Sequence, residues 1–241
     1  MSESIEVNSV SVHVRYSSQA SVADALARLG VARNTPVPVW PPHRLPYGLL
    51  VSGLRDGWIS IWSPLENVRE WFPRLTATLE CPGVLLQVIQ SRFWVVELFR
   101  DGDFLGRLEL PEEAVRYDAL WALTVESLEA EGVPEPWEDE ERFGARLDEV
   151  ARSSEYEEDM RRMEAERPAR EALLPFLPPH ADLNQAWELL TTAEAPEGRG
   201  EFDEPDYAED SADAFASYLG IRDATWDPRE DAEALAEGEY E

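Results

Sequence analysis

Residues 81–110 read CPGVLLQVIQSRFWVVELFRDGDFLGRLEL, and they contain three apolar runs, at 84–89, 93–99 and 104–110. Each run has the length of a β-strand and is rich in aliphatic or aromatic residues. The last two runs flank Asp101-Gly102, a dipeptide that is typical of a tight hairpin turn. The stretch therefore predicts three consecutive strands, of which the second and third form a hairpin.

The chain before this stretch begins with a predicted strand and a predicted helix. Apolar and polar residues alternate over 5–14, as expected for a strand that is covered on one face. Ser21 and Asp24 then have the spacing of a helix start signal, and apolar residues follow at helical spacing. Gly30 ends this pattern in the position that glycine commonly takes after a helix.

A second hairpin and a second helix are predicted between residues 47 and 79. Asp56-Gly57 lies between two apolar runs, 47–54 and 58–62, and again indicates a tight turn. The segment 63–66, Ser-Pro-Leu-Glu, then provides an N-cap, a proline at the first helical position and a glutamate that can close a capping box. We expect this helix to continue to residue 79.

The predicted order is strand, helix, strand, strand, helix, strand, followed by one more hairpin. This is the order of the split βαβ, or ferredoxin-like, sandwich, in which two helices cover one face of an antiparallel sheet. We therefore predict an α+β fold of this type. Because many unrelated functions use it, the fold alone indicates no activity.

Negative charge is concentrated in the second half of the chain. Residues 131–241 contain 34 Asp and Glu against 10 Arg, net −24, whereas residues 1–130 contain 16 against 11, net −5. Strand-like patterns also end near residue 132, and apolar residues at helical spacing replace them. We predict an α+β domain over 1–132 and an acidic, mainly helical region over 133–241 that packs on it, with a mobile loop at about 194–210.

Composition favours a folded, intracellular protein. The chain has 241 residues, of which 44% are hydrophobic, so it can bury a substantial core. Its start lacks the pattern of an export signal, and its apolar runs are too short to span a bilayer. The single cysteine, Cys81, cannot form an internal disulfide, which suits a reducing compartment. All 21 basic residues are arginine, a usage that we ascribe to coding bias. We expect a soluble, cytoplasmic protein of bacterial type.

No motif in the sequence specifies catalysis or metal binding. The three histidines, His13, His43 and His180, are far apart, and the acidic segment 201–213 lacks the spacing of a calcium-binding loop. Cys81 follows a predicted helix, where the helix dipole disfavours a thiolate. Nucleophile and phosphate-loop motifs are absent from the sequence. We therefore predict no cofactor and no metal, and we regard an enzyme as the less favoured class.

The charge pattern ranks the classes of partner. Nucleic acid binding requires basic side chains that neutralise phosphates, so direct binding to nucleic acid is disfavoured. An acidic helical face instead complements a basic protein surface, for example as an inhibitor or as a mimic of nucleic acid. The same charge also serves solubility, and the sequence leaves both explanations open. The residues predicted to form the binding face are Glu157, Glu158, Asp203, Glu204, Asp206 and Asp210.

A second hypothesis places a small-ligand site or an active site on the sheet of the α+β domain. Arginine side chains there would bind a carboxylate or a phosphate, and tryptophans would form the wall of the pocket. The same tryptophans are equally suited to a buried core. The residues predicted to line this pocket are Arg55, Trp58, Arg92, Trp94, Arg100 and Arg107.

Overall fold

The structure, a computed structural model, describes residues 7–31, 50–52, 54–62, 68–89, 93–191, 207–221 and 224. It has a six-stranded sheet in which every neighbouring pair is antiparallel, with the strand order β2-β3-β1-β4-β5-β6. The strands are β1 (Val7–Val14), β2 (Leu50–Val51), β3 (Ile59–Trp62), β4 (Pro82–Ile89), β5 (Phe93–Arg100) and β6 (Asp103–Leu110). The prediction of an α+β protein with an antiparallel sheet is confirmed.

Two α-helices lie between strands in the chain, and five follow the last strand, among the described residues. Two short 3₁₀ elements, Pro136–Glu138 and Arg170–Phe176, connect some of them. The α-helices of the described residues are α1 (Gln19–Arg28), α2 (Val68–Leu79), α3 (Glu112–Ala130), α4 (Glu140–Val150), α5 (Ser154–Glu166), α6 (Leu183–Thr191) and α7 (Tyr207–Tyr218).

The turn residues explain two of the five strand pairings, β2 with β3 and β5 with β6. Asp101 and Gly102 have φ angles of +54° and +95°, which is the conformation that a two-residue hairpin requires. Asp56 and Gly57, at +49° and +89°, form the second predicted turn. Both hairpin predictions are confirmed.

The start of α1 corrects the sequence prediction. Ser18 has an extended backbone, and its Oγ accepts a hydrogen bond from the backbone N–H of Ser21 at 3.2 Å. Ser18 is therefore the N-cap, and the helix begins at Gln19 rather than at Ser21. The predicted start of the second helix, 63–66, lies outside the described residues.

The sheet has a separate apolar core on each face. On the first face, β1, β3 and β4 pack against α1 and α2, with Val12, Ile61 and Leu85 meeting Leu26 and Phe72. This face contains the aliphatic positions of the alternating pattern in β1. Because adjacent strand residues point to opposite faces, Ser11 and His13 lie on the other side.

The second face is covered by the later part of the chain. On the sheet side this core contains Trp58, Val84, Leu86, Val88, Trp94, Val96, Leu98, Leu108 and Leu110. The covering residues come from the 3₁₀ segment Arg170–Phe176, α6 and α7, and they include Phe176, Leu190 and Phe215. Strand β5 is buried from Phe93 to Phe99, which explains why its sequence is apolar at every one of these positions except Glu97 instead of alternating.

The predicted domain boundary remains a prediction, and only part of the predicted mobile loop lies in the described residues. Contacts between the second sheet face and α6 and α7 join the two halves of the chain, while the domain boundary at 132/133 is a prediction. Helix α7 begins at Tyr207, so 207–210 of the predicted mobile loop are helical. The earlier part of that loop, 194–206, lies outside the described residues.

The contact between β6 and Pro168 leaves no room for a side chain. Gly106 has a φ of +148°, and a Cβ added there would lie 2.6 Å from three atoms of Pro168. Gly144, in contrast, lies in the exposed middle of α4, and a Cβ added there would have nothing within 4 Å. A side chain would therefore clash at Gly106, whereas it would be accommodated at Gly144.

We expect Gly106→Ala to lower the free energy of unfolding by about 2–4 kcal/mol, since it combines backbone strain with overpacking. The control Gly144→Ala should raise it by about 0.5–1 kcal/mol, because alanine is the better helix former. Urea unfolding of both variants measures these changes. Equal effects of the two substitutions would contradict the packing of β6 against Pro168.

Candidate functional site

Helices α4 and α5 begin at well-defined caps. The Asp139 side chain accepts a hydrogen bond from the backbone N–H of Arg142 at 3.1 Å, and Ser153 Oγ accepts one from Tyr156 at 3.2 Å. Caps of this kind satisfy backbone donors that would otherwise be unpaired. Only Val150 is buried in α4, and no residue is buried in α5. Most of the surface of these helices therefore faces solvent.

Residues 135–166, which we call the acidic surface, contain α4, α5 and the 3₁₀ turn before them. They contain 13 carboxylates against 5 arginines, net −8, and eleven of the carboxylates are exposed. Local pairs such as Arg161–Glu157, at 3.6 Å, neutralise part of this charge. Exposed pairs contribute little stability, and five guanidinium groups leave most of the carboxylates uncompensated. The acidic surface therefore presents a negative potential to solvent.

The structure describes three of the six residues predicted to form the binding face. Glu157 and Glu158 are exposed on α5, and Asp210 is exposed on α7. Helix α5 packs on α3 and β6, whereas α7 packs on α6, β4 and β5. The three residues thus lie on two helices that contact different parts of the sheet. Asp203, Glu204 and Asp206 lie outside the described residues.

The tryptophans predicted to line a pocket lie in the core of the second sheet face. Trp58 is 2% exposed and Trp94 is 0% exposed. The indole N–H of Trp58 donates to the backbone carbonyl of Leu219 at 2.8 Å. The ring of Trp94 packs against Phe215, with 5.8 Å between ring centroids. Both tryptophans therefore hold α7 and the segment after it on the sheet.

The predicted pocket arginines are dispersed. Arg55 is half-buried beside the turn at Asp56-Gly57, and Arg100 is exposed at the end of β5, 3.4 Å from Asp101. Arg107, on β6, forms ion pairs with Glu97 and Glu109. Arg92 lies outside the described residues.

A buried carboxylate, Glu97, organises charges on the first face of the sheet. It is 4% exposed, and its Oε1 is 2.7 Å from Arg69 Nη2 and 3.7 Å from Arg107 Nε. Arg107 also pairs with Glu109. A buried carboxylate needs such cationic partners because leaving it unpaired is costly. This group of ion pairs was not predicted from the sequence. The position of Glu97 inside the apolar run 93–99 was nevertheless a signal that a cationic side chain must lie near it.

A small charged cleft lies beside this group, between β6, α3 and α5. Its volume is about 30 Å³, which is room for about one water molecule. Arg167 Nη1 lies 2.6 Å from Glu112 Oε1 at its edge. The charged residues that line the cleft are Arg107, Glu109, Glu112, Arg116, Glu164, Glu166 and Arg167. Positive and negative side chains both line the cleft, and the cleft is too small for an organic ligand of ordinary size.

His13 lies in a buried polar group on the second sheet face. It is 0% exposed, with Nε2 2.9 Å from Ser11 Oγ and Nδ1 2.8 Å from Ser60 Oγ. Ser11 donates its hydroxyl proton to the carbonyl of Ala224 at 2.6 Å, so Nε2–H must donate to Ser11 and Nδ1 must accept from Ser60. Burial lowers the pKa of His13 to about 3. The imidazole is therefore neutral, and it joins β1 and β3 to the segment after α7.

Cys81 is buried as well. Its pKa is raised to about 12, first by burial and second by the negative charge of Asp101. The thiolate fraction at neutral pH is therefore very small, and the thiolate is the reactive form. This agrees with the interpretation of Cys81 as a structural residue.

Within the described ranges, no group of three or more His, Cys, Asp or Glu side chains could hold a metal ion. The helices of that part of the chain also include none that is long and apolar enough to cross a bilayer. No family model, curated protein or solved structure matches the chain.

The buried histidine makes stability depend on pH. In the unfolded chain its pKa is about 6.5, so the unfolded state binds one more proton than the folded state between pH 6.5 and about 3. The contribution of His13 to stability is complete above pH 6.5, and it falls by about 1.4 kcal/mol per pH unit as the pH decreases through this window.

We expect the variant His13→Gln to lack this contribution to the pH dependence. The difference in unfolding free energy between the native protein and the variant should shrink as the pH falls from 7.5 to 5, in steps of about 1.4 kcal/mol per unit below 6.5. Urea unfolding at several pH values measures it. A difference that stays constant over that range would show that His13 is not buried in its neutral form.

Proposed function

We propose that the protein is a non-enzymatic interaction protein whose acidic surface binds a basic surface of a protein partner and thereby regulates it. The observation that carries this proposal is the net charge of −8 on residues 135–166, most of whose carboxylates are exposed. Complementary charge on a partner would accelerate association and select against acidic competitors. Inhibition by mimicry of nucleic acid is one form that this regulation would take.

The scaffold supports the proposal by keeping the acidic surface rigid. Helix α4 packs on α3, and α5 packs on α3 and β6. Arg142 and Arg146 of α4 both pair with Glu131 after the end of α3. Because its helices are already formed and packed, a surface of this kind loses little backbone freedom on binding, which favours affinity.

We further infer that the sheet is ferredoxin-like, extended by one hairpin. The partial strand order β2-β3-β1-β4, with α1 and α2 on one face, supports this inference because a split βαβ unit places the first strand between the third and the fourth. In this interpretation β5 and β6 are the addition. They provide the platform on which α5 and α7 rest.

The alternative function, a ligand site or active site on the sheet, has weaker support. Trp58 and Trp94 contribute to the core, and Arg107 is engaged by Glu97 and Glu109. A ligand would have to displace these contacts. We retain the alternative only for the charged cleft beside β6, where a small anion would compete with Glu112 for Arg167.

The proposal is tested by reversing charge on α5. We expect Glu157→Lys with Glu158→Lys to weaken binding to a basic partner by about tenfold, since favourable pairs become repulsive. Proteins of a cell lysate that are retained at about 50 mM salt and released at about 500 mM are first identified. The affinity of the purified partner for each variant is then measured by calorimetry.

The matched control is Asp24→Lys with Glu70→Lys, which changes the net charge equally on exposed positions of α1 and α2. This variant should bind the partner with nearly native affinity. If both double variants weaken binding equally, the effect comes from total charge, and the acidic surface has no special role. If no basic protein is retained at low salt, the proposal is wrong.

A further inference from the structure

Four aromatic side chains, three exposed and one half-buried, form a group where α3, the 3₁₀ turn Pro136–Glu138 and α4 meet. We call them the aromatic patch: Tyr117, Trp121, Trp137 and Phe143. Tyr117 is 54% exposed, Trp137 is 50% exposed and Trp121 is 37% exposed. Single exposed apolar residues are ordinary, but several aromatic residues exposed together mark a binding surface.

Three rings of the aromatic patch, those of Trp121, Trp137 and Phe143, are in contact. The indoles of Trp121 and Trp137 lie at an interplanar angle of 23°, with 6.2 Å between their centroids. The ring of Phe143 is centred 6.0 Å from that of Trp121. Tyr117 and Trp121 are four residues apart on α3 and so share one face of that helix. Mutual contact holds the rings in place while their outer surfaces remain in solvent.

Trp137 of the aromatic patch lies within a run of negative charge, of which Glu131 is paired with Arg142 and Arg146 of α4. Residues 131–141 contain six carboxylates and no basic residue, and all six carboxylates are exposed. The face of an aromatic ring is itself electronegative. The carboxylates and the ring faces both attract a cation, and both repel an anion. The carboxylates are Glu131, Glu135, Glu138, Asp139, Glu140 and Glu141.

We propose that the aromatic patch binds an arginine side chain of a basic protein segment. This inference rests on the proposed function and specifies the chemistry of its partner. A planar guanidinium stacks on an indole and directs its N–H groups sideways, where neighbouring carboxylates accept them. A lysine ammonium also interacts with the face of an indole, but it lacks the planar surface that stacks on the ring, so it gains less from the ring than an arginine does.

The ring geometry determines where the guanidinium lies. A planar group between two rings would need a spacing of about 7 Å, twice the contact distance of carbon atoms. Trp121 and Trp137 are closer than that. The arginine therefore stacks on the outer face of Trp137, the more exposed of the two indoles.

A second copy of this chain is a poor occupant of the aromatic patch. The chain has a net charge of −29, so two copies that bring their acidic surfaces together repel each other. A basic segment would gain from the same field. Charge thus selects the partner before the rings make contact.

The experiment compares an arginine homopeptide with a lysine homopeptide of equal length, using the full chain at low salt. We expect the arginine peptide to bind several-fold tighter. The variant Trp137→Leu keeps apolar area but removes the ring, and it should weaken arginine-peptide binding by about three- to tenfold with little effect on the lysine peptide. Trp137→Phe should give an intermediate loss, and it also serves if the leucine variant does not fold.

Leu174→Ala is the matched control, because Leu174 is 55% exposed in the 3₁₀ segment Arg170–Phe176. It should change neither affinity. The indole N–H resonance of Trp137, assigned by its loss in Trp137→Phe, should shift on addition of the arginine peptide. A purely structural role of Trp137 would produce no such shift.

The outcomes separate this inference from the proposed function. Equal binding of both peptides that is insensitive to Trp137→Leu would overturn the arginine site and leave the acidic surface as the binding feature. Failure of both peptides to bind at low salt would overturn both proposals. Sedimentation that reveals a dimer abolished by Trp137→Leu would assign the aromatic patch to self-association and overturn the arginine site.

Discussion

Burial of the second sheet face holds the molecule together. Strands β4, β5 and β6 direct a continuous apolar surface toward this side, and the residues that cover it come from α6, α7 and the 3₁₀ segment before them. Trp58 and Trp94 are central, since one hydrogen-bonds the chain after α7 and the other packs against Phe215. Arg15 adds polar contacts to the carbonyls of Pro175 and Leu177. Loss of this cover would expose a large apolar area to water.

The same arrangement explains how a strongly acidic sequence can fold. Most of its buried apolar residues lie against the sheet, whereas its described carboxylates, apart from Glu97, remain exposed or half-buried, where charge is less costly. Helix α5 shows this division most clearly, because none of its residues is buried. Negative charge therefore accumulates on the outside of the helices without penalty to the core. The aromatic patch departs from this division, which is why we assign it to a partner.

The sequence was most informative where structure is local. Asp101-Gly102 predicted its hairpin, and Gly30 marked the end of α1, because turns and helix ends are determined by a few neighbouring residues. Long-range partners were not predictable in this way. Periodicity could not show that Phe215 covers Trp94, so these tryptophans suited a pocket and a core equally well. The cap of α1 was misplaced because Ser18 and Ser21 offer the same chemistry three residues apart, and only backbone conformation separates them.

The hydrogen bond from Ser11 to Ala224 spans 213 positions of the chain. A ribosome releases the first strand long before it releases the residue that completes the surroundings of that strand. The nascent protein must therefore wait with one side of its sheet uncovered, and its final assembly follows synthesis of the acidic part. Until then the growing chain exposes apolar surface of the kind that chaperones bind and shield.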